Sequence, residues 1–450
     1  MDYAISLIEK IQSKRARVAV IGLGYVGLPL AVGSAMAGFT VTGIERNSER
    51  VESVNRGKSY IFDVLDEELM EVVRNGKLWA TQRFDIISQV DIIIICVPTP
   101  LDKNKNPYIG YIEHVVTESL PYLIKGQLMV LESTTYPGTT EEVILPRIQE
   151  KGFKVGEDFF LAFSPERIDP GNKRYNFNNI PKVVGGVTPS CTEVTKAFYE
   201  VVLKRPVYPV SSPKAAEMTK LLENVFRVVN ISLVNELAIL CERMGINIWE
   251  VIEAASTKPF GYMPFYPGPG IGGHCIPIDP FYLVWKAKEY DFSARFIELA
   301  GEINDNMPRY VVNRVIELLN KYKKPINGAH ILIVGIAYKR DIGDTRESPA
   351  LKVAYLLLKH NAVLSYHDPY VPEVEIDGKK FSSIPLTDKV LKTCDLVLIT
   401  TDHSNVDYKM IAKYAPLIYD TRNVLRDLND QKIYKLGAMT LVKETKLEDP

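Results

Sequence analysis

One thiol stands out for the backbone it sits on. Residues 267–279 read PGPGIGGHCIPID, so Cys275 has an imidazole beside it at His274 and a carboxylate four residues on at Asp279. The stretch is too rich in glycine and proline for a helix or a sheet core. A thiol presented on such a loop can act as a nucleophile, and the glycines admit a substrate close to the main chain. An isolated cysteine is more often a small buried filler, so this one needs a second line of chemistry beside it.

That second line is a nucleotide site. Gly22-Leu-Gly24-Tyr25-Val26-Gly27 follows a short apolar run and opens a helical stretch, the context that lifts a GxGxxG match above chance. The first glycine allows the tight turn, the second lets a pyrophosphate reach the backbone, and the third permits close helix–strand packing. Glu45 ends the next strand 23 residues after Gly22, where a carboxylate accepts from both ribose hydroxyls and repels a 2′-phosphate, so NAD is favoured over NADP. Arg46 and Arg50 follow it, and Arg50 is counted with the cofactor-binding residues. Thr99, in Pro98-Thr-Pro100, and Thr134, in the ESTTYPG stretch from Glu132, follow later apolar strands and line the nicotinamide side.

Three further groups carry reactive side chains. Lys220 and Asn224 are four residues apart and share a helix face, with Arg227 a turn further. An ammonium and an amide so placed can hold an oxyanion. Glu166 and Arg167, followed by Ile168, lie just past an apolar run, at the edge where open α/β sheets bind ligands. A second strand–turn unit reads Gly335-Ile-Ala-Tyr-Lys339-Arg340, with cations where the first has Gly24 and Gly27. That turn suits a dinucleotide poorly, but Lys339, Arg340 and Arg346 can neutralise a diphosphate.

These residues need elements to position them. The 450 residues exceed one core and indicate two or three domains. Arg17–Gly22, Thr40–Glu45 and Asp91–Pro98 read as strands of a parallel sheet, with a helix over about 27–37. The pattern recurs at His330–Gly335, a helix over 348–360, Ala362–Asp368 and Asp395–Thr401. Between the copies, residues 215–244 are apolar at helical spacing up to Gly245, and 292–319 continue the helical region. The expected fold is therefore α/β, two Rossmann-like doubly wound parallel-sheet domains joined by a central long-helix region. The boundaries are 1–205 for the NAD-binding domain, 206–320 for the central helical domain and 321–450 for the domain binding the second nucleotide. Such a bridging helix often supplies a dimer interface.

Composition narrows the function classes. With 54 basic and 55 acidic residues the net charge is -1, which gives no bulk-charge drive toward nucleic acid or an anionic membrane. The five cysteines are scattered, forming neither a disulfide framework nor a CxxC metal site, so no metal and a reducing, cytoplasmic setting are expected. The N-terminus is too charged for a signal peptide, and the apolar run from Ile92 to Val97 is too short to cross a bilayer.

In order along the chain, GLGYVGLP, CVPTP, ESTTYPGTT, SPERIDPG, TKLLEN, PGPGIGGHCIPIDP and GIAYKRDIGDTRESP resemble the UDP-glucose/GDP-mannose dehydrogenase family over nearly the whole length. The stretch FGYMPFY from Phe260 to Tyr266 and the His-Cys pair are most similar to the branch acting on UDP-N-acetylhexosamines. Within that branch, residues 155–186 and 254–285 look closest to UDP-N-acetylglucosamine 6-dehydrogenases, with UDP-N-acetylmannosamine dehydrogenases next and UDP-glucose 6-dehydrogenases further off. The resemblance implies oxidation of a sugar C6 alcohol to the carboxylate with two NAD⁺ consumed, through a thiohemiacetal and a thioester on Cys275. It gives Lys220 and Asn224 the oxyanion, Asp279 and Glu166 the thiol or the hydrolytic water, and Thr134 a place among the catalytic residues. It puts Glu166, Arg167, Ile168, Lys220, Asn224, Arg227, Tyr266, Gly272 and Lys339 on the UDP-sugar, Arg346 on the NAD side, and the substrate between two α/β domains of a homodimer or higher homo-oligomer. The product suits polysaccharide biosynthesis. Two other readings are a two-electron hydroxyacid dehydrogenase with an all-helical second domain, which needs no Cys275, and a non-catalytic nucleotide-sugar or NAD sensor.

Overall fold

The structure is a computed structural model that describes residues 2–61, 63–168, 179–273 and 276–438. The chain divides into two compact units, residues 1–223 with 281–293, and residues 224–280 with 294–450.

The first unit is built on eight strands, β1 (Arg17–Ile21), β2 (Thr40–Ile44), β3 (Leu78–Thr81), β4 (Ile92–Ile95), β5 (Gln127–Leu131), β6 (Phe159–Phe163), β7 (Val183–Gly186) and β8 (Tyr208–Val210). Their order is β3-β2-β1-β4-β5-β6-β7-β8, parallel throughout except where β7 runs against β6. Helices cover both faces of a parallel sheet, which is why β4 reads as four consecutive isoleucines, all buried. The order reverses between β1 and β4, and the crevice at such a reversal is where open α/β sheets take ligands.

The second unit repeats the idea with β9 (His330–Val334), β10 (Val363–His367), β13 (Leu396–Ile399), β14 (Ile418–Asp420) and β15 (Ile433–Lys435). They form an all-parallel sheet ordered β10-β9-β13-β14-β15. A separate hairpin of β11 (Glu373–Ile376) and β12 (Lys379–Ser382) turns on Asp377 and Gly378, both at positive φ. Its helical part includes a 27-residue helix, Arg295–Lys321, which begins and ends within three residues of the span expected from sequence.

The long helix runs Pro213–Met244. Ser212 opens it by accepting the Ala215 N–H, and Gly245, at φ +74°, closes it as the Ile246 N–H returns to the Cys241 carbonyl. By length and composition this helix is long and apolar enough to cross a membrane. It carries a fully buried carboxylate, Glu217, engaged by main chain of the first unit, so that turn is packed against protein.

Candidate active site

In the first unit the glycine turn is built by elimination of side chains. Gly22 sits at φ +89°, and a Cβ there would lie 2.6 Å from the Cys96 carbonyl oxygen. A Cβ on Gly27 would collide with the Gly22 carbonyl, so the helix Gly27–Met36 can start against the turn only as glycine. A Cβ on Gly24 would meet nothing within 4 Å. The space over Gly24 and a helix N-terminus with no side-chain cap form a cradle for a pyrophosphate. Tyr25 is exposed and Val26 half-buried beside it.

Glu45 follows β2 and is buried. Its Oε2 accepts from the Leu23 N–H at 3.0 Å and its Oε1 from the Asn47 N–H at 3.0 Å, so the carboxylate is fixed at the rim of the turn. Tyr60 donates to the Leu23 carbonyl at 2.7 Å, and the Arg50 guanidinium lies 5.2 Å from the Tyr60 ring centre. Thr99 is buried past β4, and its carbonyl accepts from the hydroxyl of fully buried Tyr282 at 2.7 Å. Thr134 is half-buried past β5. Turn, acid and both threonine loops thus lie past the ends of β1, β2, β4 and β5, and the residues present fit a dinucleotide.

Past β6 the chain places Glu166. Its Oε1 accepts from the N–H groups of Arg167 and Ile168, both at 2.7 Å, and its Oε2 accepts from the buried Lys182 ammonium at 3.2 Å. Burial alone would push this carboxyl up. Lys182, the Ile168 N–H and the nearby Lys220 ammonium outweigh it and hold Glu166 below the usual carboxylate range. Lys220 is 8% exposed, a buried amine on the long helix. Arg167 pairs with Glu223 at 2.6 Å and donates to the Pro181 carbonyl, leaving its Nε buried without a hydrogen bond.

In the second unit Asn224, one turn along the helix from Lys220, donates to Asp279 Oδ2 at 2.6 Å, with both residues buried. Asp279 starts the helix Asp279–Ala287. Arg227 is exposed a turn beyond. Cys275 and its neighbour His274 lie outside the described residues. The loop leading to them is held by contact: Gly272 packs so closely that a Cβ would lie 2.6 Å from Tyr338 Cβ, and the Gly273 N–H donates to the Arg346 carbonyl at 3.0 Å. Tyr266 stacks on Trp249 with ring centres 6.1 Å apart, and the Trp249 indole is fixed by the Leu436 carbonyl.

The second glycine turn is closed in a different way. Asp368, at the place corresponding to Glu45, is fully buried and accepts from the Ile336 and Ala337 N–H groups and from His403 Nε2. Because His403 Nδ1 accepts the Asp341 N–H, the proton is on Nε2 and faces Asp368. That acid has no capacity left for a ribose. Lys339 is half-buried on the turn, and Arg346 makes a two-pronged pair with Asp344 at 2.6 and 3.0 Å.

Two buried groups escaped the sequence reading. Glu217, one turn before Lys220, accepts from the N–H groups of Gly138 and Thr140 and from the Thr140 hydroxyl, tying the loop past Thr134 to the long helix. Burial pushes this carboxyl up to about 7. Lys182 precedes β7 with nothing in its neighbours to mark it. Their partners are distant in sequence, so no local pattern could have found them. Among the described residues no group of three or more metal-ligating side chains comes together.

Comparison with known proteins adds three matches in register with these parts. Residues 16–203 match the NAD binding domain of the UDP-glucose/GDP-mannose dehydrogenase family, 214–306 its central domain and 332–427 its UDP binding domain. The chain is 36% identical to a UDP-N-acetyl-D-mannosamine dehydrogenase of Pyrococcus horikoshii over 419 residues, covering 91% of this chain and 96% of that one. It is 33% identical to a UDP-N-acetyl-D-glucosamine 6-dehydrogenase of Pseudomonas aeruginosa over 428 residues, covering 93% and 100%. Among solved structures, a UDP-D-ManNAc dehydrogenase from Pyrococcus horikoshii superposes with a TM-score of 0.86 at 33% identity, covering 94% of this chain and 100% of that one.

Proposed function

The chain belongs to the UDP-glucose/GDP-mannose dehydrogenase family and is an NAD-dependent UDP-sugar 6-dehydrogenase, and from that premise we propose that it oxidises C6 of a UDP-N-acetylhexosamine, UDP-N-acetylglucosamine first, to the uronic acid. The Gly22–Gly27 turn and Glu45, with Thr99 and Thr134 nearby, would hold NAD⁺, and two NAD⁺ bound in succession would each supply acceptance of one hydride from C6. The protein's own groups do the rest. Lys220 and Asn224 assist loss of the alcohol proton and stabilise the oxyanion; removal of one such donor costs about 3–4 kcal/mol of barrier. The Cys275 sulfur adds to the aldehyde, holding it as a thiohemiacetal between coenzyme visits. The thioester that follows is opened by water, which returns the thiol and releases the carboxylate. Asp279 positions the thiol or the water, and Glu166 orients the water as an ionised acceptor. The family resemblance assigns Arg167, Ile168, Arg227, Tyr266, Gly272 and Lys339 to UDP-sugar binding and Arg346 to NAD binding.

The observation that carries this reading is the 2.6 Å bond from Asn224 to Asp279. It joins the helix bearing Lys220 to the first residue of the helix that follows the thiol loop. A second reading, UDP-N-acetylmannosamine, draws on the higher identity to a mannosamine enzyme, 36% against 33%. Incubating the enzyme with UDP-GlcNAc, UDP-ManNAc, UDP-glucose and GDP-mannose separates these. The expected outcome is NADH at two per sugar, fastest with UDP-GlcNAc. One NADH per sugar would remove the thiol mechanism. Cys275→Ser should bind both ligands and stall before the acid.

The active form is a homodimer in this reading. Phe226, Leu233, Leu237, Leu240 and Met244 are exposed along one face of the long helix, with Phe296 and Leu299 exposed on the Arg295–Lys321 helix. A contiguous apolar stripe of this kind marks a protein interface. A cytoplasmic setting is supported by the described cysteines, Cys96, Cys191, Cys241 and Cys394, all unpaired. The acidic sugar suits polysaccharide biosynthesis.

A further inference from the structure

We propose that Lys182 is a positioning residue for the reaction, the central link of a buried Tyr199–Glu132–Lys182–Glu166 chain that fixes Glu166 as an ionised hydrogen-bond acceptor. This rests on the role given to Glu166 above.

The chain is assembled from four separated segments of the first unit. Lys182 lies just before β7, Glu132 just after β5, Glu166 just after β6, and Tyr199 on the helix Pro189–Leu203. Lys182 is 5% exposed and Glu132 1% exposed, so neither charge is met by water. The ammonium makes its hydrogen bond to Glu166 Oε2 at 3.2 Å. It also lies 3.0 Å from Glu132 Oε2, an ion pair as close as the one to Glu166. The other oxygen of Glu132 accepts from the Tyr199 hydroxyl, whose ring also lies beneath the ammonium.

Two buried carboxylates sharing one ammonium cannot be equivalent. An ion in a low-dielectric interior persists only where charge and hydrogen bonds compensate its lost hydration. Beside their shared ammonium, Glu166 has two N–H donors and Glu132 has one phenol. Burial therefore pushes Glu132 up while Glu166 is held down. Glu166 is the member that the surrounding donors hold as an acceptor facing the reaction. Among the described residues the remaining ionisable neighbours are Lys220 from the long helix, the Arg167–Glu223 pair, and the Cys96 thiol after β4, which burial keeps protonated. Of these only Lys220 is a second cation acting on Glu166, and it has its own work at the alcohol. Lys182, shared with Glu132, is the cation left to hold Glu166.

The test is Lys182→Gln, which keeps a donor and removes the charge, beside Lys182→Arg, which keeps the charge. Two readouts are followed against pH: kcat with NAD⁺ and whichever of UDP-GlcNAc and UDP-ManNAc is oxidised, and the amide resonance of Ile168, whose N–H is bonded to Glu166. The expected result is that both the acid limb of kcat and the Ile168 midpoint rise by about 1–3 pH units in Lys182→Gln, as for a carboxyl losing an adjacent cation, with Lys182→Arg close to the parent. KM for the sugar changes little. If Lys182→Gln fails to fold because Glu132 is left uncompensated, the neutral pair Glu132→Gln/Lys182→Gln tests the same shift. An unmoved Ile168 midpoint overturns the proposal while leaving Glu166 its role. A shifted midpoint with an unmoved acid limb removes Glu166 from turnover, and Lys182 with it; Glu166→Gln at parental kcat does the same.

Discussion

Glu217 shows how a single side chain is set by what surrounds it. A glutamate on a helix is ordinarily solvated, and nothing in the TKLLEN neighbourhood marks this one. Here it is fully buried against the main chain of Gly138 and Thr140. With its folded-state value raised to about 7 from 4.5, the native state binds the proton more tightly than the unfolded chain. Its contribution is therefore full below about pH 4.5 and is lost as the pH rises through 7, a change on the order of 3 kcal/mol. Melting curves between pH 5 and 8 should show the parent losing stability with rising pH and Glu217→Gln losing less. A parallel pH dependence in the two proteins would contradict the assignment. Lys220, Asn224 and Glu166 could be singled out from sequence because their spacing and strand-end position restrict what they can do. Lys182 could not, since a lysine ahead of a strand is unremarkable until Glu132 and Glu166 close on it.

Elements were the most legible level. β1, the helix Gly27–Met36, β2 and the acid after it fall where glycine spacing and β-branched runs predict them. The reason is local: only glycine fits the Gly22 backbone and the Gly22–Gly27 approach. The same geometry separates two roles for glycine. Gly24→Ala adds a methyl to open space at an ordinary φ, so the melting temperature should stay put while the Kd for NAD⁺ rises about tenfold or more. Gly27→Ala drives a methyl into the Gly22 carbonyl and should destabilise the fold itself. Calorimetric titration and thermal melts read the two outcomes, and unchanged NAD⁺ affinity in Gly24→Ala would count against the cradle. The second turn was legible only in part. Its cations were visible, but the closure of Asp368 by His403, 35 residues on, was not.

At the scale of the whole molecule, the exposed stripe on the long helix is the feature with most at stake. Apolar periodicity over 215–244 announces a helix but not which face stays uncovered, because that depends on what packs beside it. Phe226, Leu233, Leu237, Leu240 and Met244 remain exposed. Light scattering should give twice the 50.7 kDa chain mass, and Leu237→Glu with Leu240→Glu should give the single-chain value. A parent at single-chain mass would remove the dimer. By itself the sequence determined the two glycine turns, the parallel strands, the long helix and the candidate thiol, lysine and asparagine, because glycine sterics, strand hydrophobicity and helical period act between residues close in the chain. Tertiary structure alone decided which buried charges face each other: Lys182 between Glu132 and Glu166, Glu217 against the Gly138 loop, His403 against Asp368. Electrostatic pairing falls off with distance through space, and the fold brings those partners from 16 to 79 residues away.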